Sequence, residues 1–263
     1  MTKKAEIKKR HLKMSNAEIL KRISFIAAFS AITCVLYSYL KIDGKYLPIF
    51  PSFLDINFSM IPIIICAFML GPIDASVVVI VRCLIKWITP GTSTQYVGEL
   101  ADVLIGLAAC IPAGVIYKYS KFKHKTIIAL ASVVIGWVLM GILSNVFINI
   151  PWYNNLYFDS NYYKDGIHPV LVNMVDDAVY KITFEHLHVT KSNFMPYYII
   201  FAVIPFNIML SVVVTIFTAL VHKRLRVLYD MIGPKKSDEI FEKTEKVEET
   251  KEPIDKDDTI SLE

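Results

Sequence analysis

Apolar residues along this chain gather into long blocks instead of alternating with polar ones. Six blocks approach or exceed the roughly 20 residues that a helix needs to cross the hydrocarbon layer. They run over about Ile23–Leu40, Phe53–Leu70, Asp74–Thr89, Gln95–Tyr117, Thr126–Ile150 and Met195–Val221. The third is short. The pattern predicts an all-α integral membrane protein with six transmembrane helices. Residues 23–226 form its membrane domain, and residues 151–194 make a long loop between helices five and six. Within that loop a short helix is expected around Pro169–Phe184. Composition agrees: the 263 residues are 54% hydrophobic with a mean hydropathy of +0.47, against about 45–50% for a soluble domain.

Charge orients the spans. Lys3, Lys4, Lys8, Lys9, Arg10, Lys13, Lys21 and Arg22 precede the first, opposed only by Glu6 and Glu18. Lys118, Lys121, Lys123 and Lys125 fill the turn between spans four and five, and His222, Lys223, Arg224 and Arg226 follow the sixth. Basic flanks stay on the cytosolic side, so both termini are expected there, with residues 1–22 as a basic N-terminal segment. The first block is too long for a signal peptide, and no small-residue cleavage pattern follows it. The net charge of +4 conceals a division, because residues 235–263 carry six basic and eleven acidic side chains. Residues 233–263 read as a disordered, charged cytosolic tail.

Polar groups inside spans are costly and usually face protein or water. Arg82 and Lys86 share one helical face in span three, and Glu99 and Asp102 share one in span four. A short outer turn joins these spans, and the depths of the charges match within a few Å at the helical rise of about 1.5 Å per residue. Mutual neutralisation is one reading, and direct ligand contact or ion coupling is the other. Asn145 lies about 8 Å below the outer surface by that rise and Asn207 about 18 Å. Each amide suits either the polar edge of a heterocycle or a helix–helix hydrogen bond. Trp152, Tyr153, Tyr157, Phe158, Tyr162 and Tyr163 in the outer loop fit a stacked flat ligand or an interfacial aromatic belt. Ala27 and Ala31 form a small-x-x-x-small pair that lets another helix approach. Cys34, Cys66, Cys83 and Cys110 lie singly in apolar blocks and read as packing residues.

No G-x-x-x-x-G-K-[ST], H-E-x-x-H, G-x-S-x-G or Cys/His cluster is present. The chain therefore carries no P-loop, no recognised nucleophile–base pair and no metal-ligand motif. A small binding subunit or a channel fits these absences, and an intramembrane enzyme would need a nucleophile–base pair without a recognised motif.

Four stretches in order resemble the S components of energy-coupling factor (ECF) vitamin transporters, closest to the riboflavin-binding branch. They are "LDINFSMIPIIICAFMLGPIDA", "YVGELADVLIGLAACIPAGVIYKYSK", "SNVFINIPWY" and "PFNIMLS", within about Ile23–Leu225. The resemblance implies a six-helix protein that captures a vitamin at the outer face. It implies partners too: a transmembrane coupling protein and two cytosolic ATPases that bind the ATP, with riboflavin as transported ligand and no cofactor. Ala27 and Ala31 match the alanine pattern that contacts the coupling protein. Asn145 and Asn207 match the asparagines that hold the isoalloxazine ring; Phe206, Phe58 and Glu99 join them as candidate substrate contacts. The branch commonly continues "PFN-x-x-K", and here the lysine position holds Leu210. Another vitamin or small metabolite is the alternative ligand. A structural or interaction membrane protein is the alternative class.

Overall fold

The computed structural model describes residues 16–42, 46, 49–51, 54–88, 96–156, 167–185 and 187–232. The expected charged tail, the outer connection Pro90–Thr94 and Tyr157, Phe158, Tyr162 and Tyr163 lie outside these residues. Residues 25–230 make one compact unit; residues 1–24 and 231–263 belong to a second. Among the described residues, four helical stretches are long and apolar enough to cross a membrane: Asn16–Tyr39, Val97–Tyr119, Lys125–Asn154 and Phe194–Met231.

Helix α1 (Asn16–Tyr39) starts seven residues before its apolar block, inside the segment expected to precede the span. The second block is only partly helical. Lys41–Ile42 (β1) pairs antiparallel with Ile56–Asn57 (β2), and α2 covers only Met60–Met69. The reason lies in Asn57: its side-chain oxygen accepts from the Ser59 amide at 3.3 Å and the Ser59 hydroxyl at 2.7 Å. This local turn competes with helix extension. Ten residues give α2 a length of about 15 Å, half of a hydrocarbon layer.

The turn from α2 into α3 (Pro72–Ile88) is set by two residues. Gly71 adopts φ +115°, which disfavours a side chain. The amides of Leu70 and Gly71 both bond the Cys66 carbonyl, at 2.8 and 3.3 Å. Pro72 then opens α3 at a position needing no amide donor. The block that opens span four forms α4 (Val97–Tyr119), led by Tyr96 in the left-handed region at φ 73°.

Prolines shape the remaining helices. Pro112, inside α4, gives no amide to the Ala108 carbonyl. Helix α5 (Lys125–Ser144) approaches that carbonyl at Gly136, where an added Cβ would lie 2.3 Å from the oxygen. Helix α5 runs into a π turn at Asn145–Asn149 and continues as α6 (Ile150–Leu156), through Pro151, which the sequence places at the start of the loop. A second π turn, Ile199–Val203, separates α8 (Phe194–Tyr198) from α9 (Ile204–Ile232), just ahead of Pro205. The Ile150 amide bonds the Asn145 carbonyl and the Ile204 amide bonds that of Ile199. Each widened turn contains the residue four before its proline, Phe147 or Phe201. There a regular helix would suffer both the ring clash and the lost bond.

Helix α7 (Pro169–Thr183) forms where a short helix is expected and buries Leu171, Val172, Val175, Ala178 and Val179. It packs on α8 and the second π turn. Helix α9 extends past its apolar block to Ile232, with Arg226 and Asp230 paired one turn apart at 3.7 Å. The core joins α2, α3, α4, α5 and α9 through residues such as Ile63, Ile64, Val78, Val79, Ala109, Val133 and Val214, all fully buried. Cys66, Cys83 and Cys110 are buried, and Cys34 is half-buried.

The α4–α5 contact at Gly136 yields a direct test. Gly136→Ala is expected to lose about 1–3 kcal/mol of stability through overpacking, read as a lower unfolding temperature in detergent. An unchanged unfolding temperature would mean the helices do not approach this closely.

Candidate functional site

Arg82 is a long cation inside an apolar helix and is only 2% exposed. It needs partners there, and the elements around α3 supply them. Its Nη1 donates to the Ser59 hydroxyl at 2.8 Å, and its Nη2 donates to the Asp102 backbone carbonyl at 3.0 Å. The guanidinium lies 4.7 Å from the centroid of the Tyr37 ring. The Tyr37 hydroxyl donates to Asp102 Oδ2 at 2.6 Å. One side chain thus links α1, the start of α2, α3 and α4.

A cavity of about 150 Å³ opens beside this cluster. Its charged lining residues are Lys41, Asp55, Arg82, Lys86, Glu99 and Asp102. Aromatic, aliphatic and amide side chains line it too: Trp137, Asn145, Tyr153, Phe206, Asn207 and Leu210. Tyr37, Leu54, Asn57, Met60, Gly98 and Ile105 complete the walls. The β1–β2 pairing forms one wall, where Lys41 Nζ meets Asp55 Oδ2 at 3.0 Å. Both side chains are more than a third exposed, so this pair contributes at most about 1 kcal/mol. Phe50 sets its ring edge-on against Phe206 at 5.3 Å.

Both asparagines reach this cavity and are buried, Asn145 at 4% and Asn207 at 5% exposed. Asn145 Nδ2 donates to the Gly141 carbonyl at 2.8 Å, and its Oδ1 accepts from Tyr198 at 2.6 Å. Asn207 Nδ2 donates to the Val203 carbonyl, at the end of the second π turn, at 2.7 Å. Gly141 joins the pair, because a Cβ there would meet Asn207 Oδ1 at 2.8 Å. Each asparagine is therefore tied to a helix backbone while facing the same space.

The other expected site residues divide. Glu99 and Phe206 line the cavity. Phe58 does not: Asn57 occupies the wall and Phe58 turns toward Phe217, with ring centroids 6.5 Å apart. The opposite directions of successive side chains in extended backbone account for this. Ala27 and Ala31 lie away from the cavity, exposed on one face of α1 beside Ile32 and Val35. The charges expected to neutralise one another, Arg82, Lys86, Glu99 and Asp102, share one cavity. Sequence reasoning did not single out Tyr37, Trp137 or Tyr198. Their signal was a polar-tipped ring inside an apolar helix, which requires a partner when buried.

Comparisons with known proteins converge. The family described as ECF transporter, substrate-specific component, matches residues 21–222. The riboflavin transporter RibU of Staphylococcus aureus (strain TCH60) is 26% identical over 212 residues, 80% of this chain and 93% of that protein. A solved structure described as the S component of a bacterial ECF transporter is similar with a TM-score of 0.55 at 24% identity. It covers 79% of this chain and 96% of its own.

Removing Arg82 while leaving its anionic neighbours tests the cluster. Arg82→Met is expected to cost about 3–5 kcal/mol, and Asp102→Asn in the same chain to recover part of that loss. Thermal unfolding of the two variants reads the effect; equal stability of Arg82→Met and wild type would contradict it.

Proposed function

The chain belongs to the substrate-specific component family of ECF transporters, and from that premise we propose that it captures riboflavin or a related flavin at the outer face of the membrane. The family supplies the general role: a multi-pass plasma-membrane protein that binds a transported molecule, works with an energy-coupling module and is not an enzyme. The observation that carries the flavin reading is the shared cavity of Asn145, Asn207 and Phe206 with Trp137 and Tyr153. Flat rings stack on aromatic faces, and amides match the donors and acceptors of a heterocycle edge. The named riboflavin transporter among its relatives supports the same ligand. The polar tail of such a molecule would meet the charged wall that includes Glu99.

The cavity volume of about 150 Å³ is below the roughly 300 Å³ typical of pockets for drug-sized ligands. Flavin binding therefore goes with outward movement of a wall. The β1–β2 wall is joined by a two-residue ladder and by an ion pair whose side chains are both more than a third exposed.

In this reading the partners are a transmembrane coupling protein and two ATPases, which bind the ATP that this chain has no P-loop to hold. The termini and the charged tail are cytosolic. The exposed Ala27–Ala31 face of α1 is where the coupling protein docks, since small side chains permit close helix approach.

Leu210 favours a second reading, a different vitamin or metabolite. It lines the cavity at 4% exposure where the resemblance leads to a lysine, so it removes a donor and a charge from the ligand's surroundings.

Purified protein is expected to carry or take up a yellow chromophore and to quench riboflavin fluorescence on titration. Asn207→Ala is expected to weaken binding at least about tenfold, or ~1.4 kcal/mol. A colourless protein that leaves riboflavin fluorescence unchanged overturns the flavin reading. Recovery of riboflavin binding by Leu210→Lys in that case would place the change of ligand at this residue. Ala27→Trp with Ala31→Trp is expected to abolish uptake and copurification of coupling subunits while retaining ligand binding. Intact assembly would remove the α1 face from the interface.

A further inference from the structure

Asn145 and Asn207 are the same residue type, yet their surroundings leave them different groups to offer. Asn145 Oδ1 is occupied twice, by the Tyr198 hydroxyl at 2.6 Å and by Asn149 Nδ2 at 3.3 Å. One Nδ2 hydrogen goes to the Gly141 carbonyl at 2.8 Å. An amide has two donor hydrogens, so the second N–H is what Asn145 retains for the cavity. At Asn207 the backbone bond uses one Nδ2 hydrogen. Its oxygen stays available beside Gly141, as does its second hydrogen.

Tyr198 sets this difference. It is fully buried and comes from α8, not from the helix that carries Asn145. The Phe194 ring stacks on it at 5.5 Å and 15°, one helical turn earlier, and α7 packs against that same segment. The packed ring fixes where the hydroxyl oxygen sits. An amide turned by 180° would set Oδ1 against the Gly141 carbonyl, two acceptors opposed, and would forfeit the hydrogen bond that Tyr198 donates to Oδ1. The Gly141 carbonyl and the Tyr198 hydroxyl together fix the amide.

We propose that Tyr198 is a positioning residue of the binding site: by donating to Asn145 Oδ1 it holds Asn145 as a hydrogen-bond donor toward the cavity. The ligand edge facing Asn145 must then be an acceptor, such as a ring carbonyl or an unprotonated ring nitrogen. The edge facing Asn207 is free to present either a donor or an acceptor. The ligand part of this inference rests on the flavin reading above; the positioning part does not.

Tyr198→Phe keeps the ring and removes only the hydroxyl. In riboflavin titrations it is expected to weaken binding about fivefold to tenfold, the usual worth of one hydrogen bond. If Tyr198 acts through Asn145, Tyr198→Phe with Asn145→Ala binds no more weakly than Asn145→Ala alone. Losses that multiply across the double variant would overturn the proposal and leave Tyr198 a packing residue. Asn145→Asp is a second variant that keeps an acceptor for Tyr198 and removes the donor. Riboflavin affinity equal to wild type in that variant would overturn the donor assignment.

A ligand-free readout separates this proposal from the flavin reading. In protein labelled with ¹⁵N at asparagine, the side-chain amide pair of Asn145 is identified by its loss in Asn145→Ala. It is expected to shift and broaden in Tyr198→Phe, and an unchanged pair would overturn the positioning role. A wild-type protein that ignores riboflavin but shows this spectral change would overturn the ligand and keep the role of Tyr198.

Discussion

A guanidinium held out of water in the middle of a helical bundle must be surrounded by groups that replace its hydration, and Arg82 dictates much of the local architecture for that reason. Ser59, the Asp102 carbonyl and the Tyr37 ring come from three other segments. The start of α2, the second turn of α4 and the far end of α1 are thereby fixed around one charge. The cavity lies directly against this point. Its charged wall is thus continuous with the interaction that holds the helices in register, and a ligand there meets side chains already ordered by other work.

The amide-bearing part of the lining depends on backbone irregularity. Proline inside a helix frees a carbonyl and crowds it. Three solutions appear here. Gly71–Pro72 places proline at a helix start, where no donor is needed. Pro112 leaves the Ala108 carbonyl to face the close approach of Gly136. Pro151 and Pro205 each follow a π turn that absorbs the mismatch. The last two matter to the site, because Asn145 opens one π turn and Asn207 bonds the end of the other. The widened turns are where the two amides are anchored.

Legibility followed the range of the interaction. The apolar blocks marked the long helices, and the break after Leu70 marked the turn between α2 and α3. Segment ends were poorly marked where a polar side chain intervened: Asn57 shortened α2 through a contact two residues away, while polar residues past Val221 continued α9 as helix. At the site, Asn145, Asn207 and Glu99 stood out as polar groups in apolar blocks and Phe206 only through the resemblance; all four line the cavity. Phe58 was not legible, because which side of an extended segment faces the cavity depends on pairing with Lys41–Ile42. Tyr198 was not, because its partner lies 53 residues away.

The sequence by itself determined that this chain lives in a membrane, which segments are apolar helices, and which family of transport proteins it resembles. Those properties follow from local hydropathy, from charge at the flanks of the spans and from short ordered motifs. Only the tertiary structure decided which polar groups share one cavity and which of their atoms remain free to meet a ligand. A buried amide looks the same in a sequence whether it donates or accepts; the hydroxyl of Tyr198 and the carbonyl of Gly141, brought to Asn145 by packing, make that choice.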